Sequence, residues 1–283
     1  MTYLPRARRF DWSNLGVRVA SAAVLIPAAV AASVIGNETP HPAFLVLISV
    51  AVALLAIEWG TMASPRAGTR IAIGMTIVIL AAIFIAWQGW YPAAWGLTAA
   101  GAAAAALVAR GTSERPGDAA LGVLYLAIPC LCLIWLRAMP QGAVWLLMLF
   151  AVTWAADICA FAVGSVVRGP KLWPRYSPNK TWSGFVGGLL GAMLAAIAVS
   201  VVATHFTDIR LWKTGAAAIG LAGGLATMAG DLWESMLKRR FGVKDSGDLI
   251  PGHGGLLDRV DGLMFAAVVL AVARLIDHLG WAH

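Results

Sequence analysis

The chain has 283 residues, of which 60% are hydrophobic and only 12% charged, and its mean hydropathy is +0.79. That composition excludes an ordinary soluble domain, in which about a quarter of the residues are charged. The net charge of +7 reads as membrane topology rather than as a nucleic-acid footprint, because no zinc-finger spacing, basic helix with interleaved aromatics or soluble binding module accompanies it.

A helix that crosses the hydrocarbon layer needs about 20 mostly apolar residues. On that scale the sequence predicts an all-α polytopic membrane protein with nine spans, over 17–35, 43–60, 71–87, 93–109, 119–136, 142–163, 185–204, 214–230 and 262–276. The segments 93–109 and 214–230 are the least apolar, and a buried or re-entrant role for either stays open. The basic amino-terminal stretch imitates a secretion signal, but the eight apolar runs after it favour its retention as a first membrane helix. Most of the 21 Lys and Arg residues then fall on one side, so the positive-inside rule places the amino terminus in the cytoplasm. Residues 1–140 read as scaffold helices and 141–283 as a catalytic region with polar loops, together one continuous membrane domain.

In the first half, Trp59, Trp87, Trp90, Tyr91 and Trp95 sit near predicted span ends, where belt or packing roles are expected. Glu58 is the exception. An acid at membrane depth is expensive unless paired or hydrated, so it serves either as a structural partner, for instance to Arg66, or in a cavity. Cys130, Cys132 and Cys159 lie within apolar runs and read as small packing residues rather than a disulfide or metal set.

The second half carries the polar signals. Thr153 and Asp157 share one helix face, which directs the carboxylate into the bundle as a counter-ion or as part of an active cavity. Ser177, Lys180 and Thr181 precede a predicted helix start near 185. Hydroxyls and N–H groups there suit phosphate, and an ordinary capped interface loop is the alternative. Gly184, Gly187, Gly188 and Gly191, and then Gly215, Gly220, Gly223, Gly224 and Gly230, predict close helix contacts.

Between the last two spans, residues 231–261 concentrate acids and bases. Asp231, Glu234, Ser235 and Lys238 recur at helical offsets and form one polar face. Asp258 and Asp261 are three apart at the next helix start. Asp231 beside that pair would make an oxygen-rich site suited to a magnesium-like ion, while Lys238, Arg239, Lys244 and Arg259 suit phosphate oxygens. A plain charged hairpin explains the bases but not the spacing of the acids; individual charges such as Arg240 and Asp248 are open to a solvated role.

The run Ser235-x-Leu237-Lys238-Arg239, then Lys244-Asp245-x-Gly247, then Ile250-Pro251-x-His253-Gly254-Gly255-x-x-Asp258-Arg259-x-Asp261 resembles the signature of the phosphatidate cytidylyltransferase (CDP-diacylglycerol synthase) family. Asp157 and Ser177-Pro-x-Lys180-Thr181 resemble the family's preceding elements. Ser183 departs from it, standing where a Glu commonly precedes the glycine. The resemblance implies transfer of CMP from CTP to phosphatidic acid, forming CDP-diacylglycerol and pyrophosphate. It implies Mg2+, with a second cation such as K+ as a further ion, and homodimers in a bacterial cytoplasmic (inner) membrane with the site on the cytoplasmic face. Asp231, Asp258 and Asp261 are then the metal-associated acids, and Lys238, Arg239, Lys244 and Arg259 the phosphate contacts. Asp245 and His253 organise the loop or join it to the site, and Ser177, Lys180, Thr181 and Ser235 contribute to nucleotide binding. Two other readings are a CTP-dependent lipid kinase, which would release CDP, and a transporter, which would move solute without cleaving nucleotide.

Overall fold

The structure is a computed structural model that describes residues 23–24, 26–35, 42–64, 67–110, 115–207, 213–249 and 254–279. Eight helices and one small ribbon follow in order: α1 (Pro42–Ala63), α2 (Gly68–Trp87), α3 (Tyr91–Ala109), α4 (Pro116–Ala138), α5 (Gly142–Val167), β1 (Lys171–Trp173), β2 (Ser177–Thr181), α6 (Trp182–Phe206), α7 (Lys213–Phe241) and α8 (Leu257–His278). A further helical stretch is described over 26–34; the rest of the expected first span lies outside the described residues.

Helix dominates because backbone groups in lipid must be satisfied within their own segment. The buried hydroxyls follow the same rule: Thr98, Thr153 and Thr227 each donate to the carbonyl four residues earlier. Among the described residues, α1 to α7 are the seven helices long and apolar enough to cross a membrane, against the nine spans expected. The last helix differs for a physical reason. Asp258, Arg259 and Asp261 open it and Arg274 and Asp277 close it, which limits its uncharged stretch to 262–273. It packs among α7, α4 and α5. Near its far end Arg274 pairs with Asp277 and lies 5.6 Å from the Trp145 ring.

The glycines set the closest approaches, as expected for helices packing in lipid. A Cβ at Gly184, Gly188 or Gly191 of α6 would stand 2.7, 2.8 or 2.9 Å from the carbonyls of Ala160, Ala156 and Ala155 on α5. On α7, Gly220 faces the Ala192 carbonyl of α6, and Gly230 crosses Gly262 of α8, where an added Cβ would lie 2.5 Å from the Asp261 carbonyl. Gly215 differs from the expectation: no described atom lies within 4 Å of a Cβ placed there.

The two halves meet at Trp59, which is fully buried. Its Nε1 donates to the Asp118 carbonyl of α4 at 3.0 Å, and its ring packs on Tyr125 and edge-on to Phe241 at the end of α7. Trp59 is therefore a core residue of the seam, while Trp90 and Trp95 are exposed as a belt residue would be. The polar segment after α5 is not a plain loop. Arg168 and Gly169 both take positive φ, turning the chain into an antiparallel ribbon that pairs Lys171 with Thr181 and Trp173 with Ser177.

Replacing Gly188 by Leu is expected to lower the stability of the detergent-solubilised protein by about 1–3 kcal/mol through overpacking against α5, whereas Gly215→Leu should leave it within about 0.5 kcal/mol. Thermal unfolding of the two variants beside the parent checks the contrast.

Candidate active site

The end of α7, the start of α8, the loop between them, β2 and the carboxyl-terminal half of α5 converge at one end of the bundle. The Gly230–Gly262 crossing fixes the first part of the site, because bare backbones there bring Asp231 and Asp261 together. Lys180, carried on β2, forms an ion pair with Asp231. Asp261 is held by the N–H of Gly262 at 2.7 Å. Burial, reinforced by the neighbouring Asp231 and Asp157 carboxylates, pushes the Asp261 carboxyl well above its usual range. Asp157 contributes from α5, although its side chain is exposed along the helix instead of enclosed by the bundle as its helical spacing suggested.

About two turns further along α7 than Asp231, Lys238 lies between two carboxylates. Its Nζ is 2.6 Å from Glu234 Oε2, an i,i+4 partner, and 2.5 Å from Asp258 Oδ1 across the helix pair. The other Asp258 oxygen accepts the N–H of Ser246 at 3.1 Å. Burial opposes ionisation of Asp258, but hydrogen bonding with Glu234, Lys238 and Ser246 outweighs it and brings its pKa down to about 2, because bonds to the charged form favour that form.

Under this loop sits Glu58 of α1, 1% exposed. Its carboxylate accepts the N–H groups of Leu256 and Leu257, each at 2.7 Å, and the hydroxyl of Ser246 at 3.3 Å. The alternative left open for Glu58 thus resolves toward a structural partner, but the partner is the loop itself; Arg66 lies outside the described residues.

The candidate residues separate into distinct environments. Lys180, Asp231 and Asp261 form one group, and Lys238 and Asp258 another. Ser235 on α7 and Ser177 on β2 are half-buried. Thr181 is buried and committed to capping α6, accepting the Gly184 N–H at 3.1 Å, so its hydroxyl serves the helix start. Ser183, at the position of the family's Glu, lies 3.1 Å from the Thr181 hydroxyl and donates to the Arg168 carbonyl. Arg239, Lys244, Asp245 and Arg259 are exposed. His253 lies outside the described residues. No three His, Cys, Asp or Glu side chains close around one point as a metal shell among the described residues, and Asp258 stands with Lys238 rather than with the Asp231–Asp261 pair.

Two contributors were not among the expected site residues. Glu234 is 1% exposed and holds Lys238; its place on the acidic face was legible, its burial was not. Asp118 at the start of α4 is buried and pairs with Arg240, which is therefore not a merely solvated charge. An acid directly before an apolar run was the available signal for Asp118, but its partner lies 122 positions away.

The profile of the Cytidylyltransferase family matches residues 16–276. The phosphatidate cytidylyltransferase of Brucella suis biovar 1 (strain 1330) is 38% identical over 262 residues, covering 91% of this chain and 92% of that protein. Shorter matches include the phosphatidate cytidylyltransferases of Rickettsia bellii, 39% identical over 53% of this chain and 66% of the relative, and of Staphylococcus saprophyticus, 40% identical over 54% and 56%. With a family match across nearly its whole length and end-to-end similarity to the Brucella protein, the chain belongs to the cytidylyltransferase family as a phosphatidate cytidylyltransferase relative.

Proposed function

We propose that the protein transfers CMP from CTP to phosphatidic acid, forming CDP-diacylglycerol and pyrophosphate. The observation that carries this is the end-to-end similarity to a phosphatidate cytidylyltransferase, joined to a charged site at one end of a bundle of lipid-compatible helices. A lipid substrate can leave its acyl chains among the helices while its phosphate reaches Lys180 and Lys238. The phosphate of phosphatidic acid is already anionic and needs positioning more than deprotonation. One of its oxygens attacks the α-phosphorus of CTP in line, the bond from that phosphorus to the bridging α–β oxygen breaks, and pyrophosphate leaves with the electron pair. Lys180, Lys238, Arg239, Lys244 and Arg259 offer positive charge to the phosphates along this path, while Ser177 and Ser235 line the approach and Asp245 and His253 order the loop.

The acids fit magnesium by donor type. They are oxygen ligands only, as a hard dication prefers, and Asp261, buried and flanked by the Asp231 and Asp157 carboxylates, leaves a surplus of acidic groups over the Lys180 ammonium paired there. Asp231 and Asp261 would hold the ion, with Asp258 joining them as the third acid only by giving up its Lys238 partner; when bound, the ion supplies charge relief to the triphosphate. A second cation such as K+ suits the same surplus. Most basic residues lie on the site's side of the predicted topology, which favours a cytoplasmic active site in a bacterial inner membrane. The helices up to residue 140 act as scaffold and 141–283 as the catalytic region, in a chain that works as a homodimer.

Purified protein given CTP, phosphatidic acid and Mg2+ is expected to form CDP-diacylglycerol and pyrophosphate in equal amounts; release of CDP with a doubly phosphorylated lipid would instead identify a kinase. Asp258→Asn should lower turnover by at least about 100-fold, the scale of a mispositioned reactive group, with the folded fraction preserved by size-exclusion chromatography. Chelation with EDTA should abolish turnover and added Mg2+ restore it; full activity in EDTA would reject the role given to the acids.

A further inference from the structure

We infer that Glu58, a residue of the first-half helices and outside the signature run, is the positioning residue of the active-site loop: it fixes the backbone just before Asp258 and the Ser246 segment that bonds to Asp258, and through them the Asp258 carboxylate. The inference rests on the function proposed above only for the consequence in turnover, since the anchoring itself is a matter of geometry.

The start of α8 lacks a cap of its own. Leu256, at the N-cap position, has an apolar side chain and helical φ/ψ, so the first N–H groups of the helix need acceptors from elsewhere. Glu58 supplies them from 198 and 199 positions away. A carboxylate there also meets the positive end of the helix dipole. Removing a carboxylate from water costs several kcal/mol, and hydrogen bonds to a charged group return about 1.5–3 kcal/mol each; three of them make the buried position tenable.

The same carboxylate reaches Asp258 by a second route. The Ser246 hydroxyl bonds to Glu58 while the Ser246 N–H bonds to Asp258 Oδ2, so one loop residue is held from both sides. Leu257, bonded directly to Glu58, is the residue before Asp258. The loop lies close because two of its positions lack side chains. A Cβ at Gly247 would sit 3.2 Å from Glu58 Oε1, and one at Gly255 would sit 3.1 Å from the same oxygen and overlap the Ser246 hydroxyl. The carboxylate is therefore clasped by bare backbone at both ends of the loop.

The test compares Glu58→Gln, Glu58→Ala and Ser246→Ala in the full-length protein, in detergent with phosphatidic acid and CTP. Steady-state kinetics are read beside hydrogen exchange of peptides covering 244–260. Glu58→Gln and Ser246→Ala should each lower kcat by about 10-fold to 100-fold, the range seen when a supporting hydrogen-bond partner is lost, with KM for phosphatidic acid changed by less than about threefold. Exchange in 244–260 should rise by at least about 10-fold while peptides of α5 and α6 exchange as in the parent, because opening is local. Should Glu58→Ala not fold, the other two variants still decide the matter. Parent-like kcat in Glu58→Gln, or a kcat loss without faster loop exchange, would overturn the inference. A parent protein that makes no CDP-diacylglycerol would sink the functional reading instead, and the exchange of 244–260 would then judge the anchor alone.

Discussion

The carboxylate of Glu58 beneath the start of α8 is the contact on which the geometry of the site depends. It joins a helix of the first half to a loop near the other end of the chain, with sequence separations of 188 to 199. Around it the seam is closed by apolar and polar contacts of the same reach. Trp59, the next residue, locks α1 to α4 through the Asp118 carbonyl, and the Asp118 carboxylate holds Arg240 at the end of α7. Three supports thus come from residues 58, 59 and 118, and all of them act on the segment that carries Lys238, Ser246 and Asp258.

The two ion-pair groups differ in how readily they exchange partners. The Lys180 and Asp231 side chains are 27% and 38% exposed, against 15% and 13% for Lys238 and Asp258. An exposed pair is worth about 0–1 kcal/mol, so an incoming phosphate can take the place of Asp231 at Lys180 at little cost. Breaking the more buried pair costs more, because each partner would be left charged in a poorly solvated place. Lys238 is accordingly bound into the framework by Glu234 and Asp258, and Lys180 is the more available of the two ammonium groups.

The periodic parts of this arrangement were legible in the sequence. Seven expected spans coincide with helices α1 to α7, and the offsets of Asp231, Glu234 and Lys238 placed them on one face, where Glu234 and Lys238 do pair. The glycines of α6 and α7 announced close crossings, and the crossings are there except at Gly215. What could not be read were contacts between distant segments. Nothing local to Glu58 says that it will cap a helix two hundred positions on, and nothing in the 164–184 segment shows the ribbon, whose strands are only three and five residues long. The last helix falls short of the other seven in apolar length, since the charges at its two ends limit how much of it suits lipid.

Two separate constraints then locate the acids. The Gly230–Gly262 crossing is a backbone contact, and it sets where Asp231 and Asp261 stand whatever the loop does. Asp258 is one turn earlier on the same helix, so a rigid α8 would already place its Cα. Its carboxylate direction is a further degree of freedom, and that is fixed by Lys238 on one oxygen and the Ser246 N–H on the other. Because Ser246 is in turn held by Glu58, the orientation of one acid is referred to α1 while the spacing of the other two is referred to α7. A site built this way needs the first half of the chain for more than membrane residence: with α1 displaced, α8 keeps its crossing but loses the acceptor that ends it, and Asp258 loses the loop that aims it.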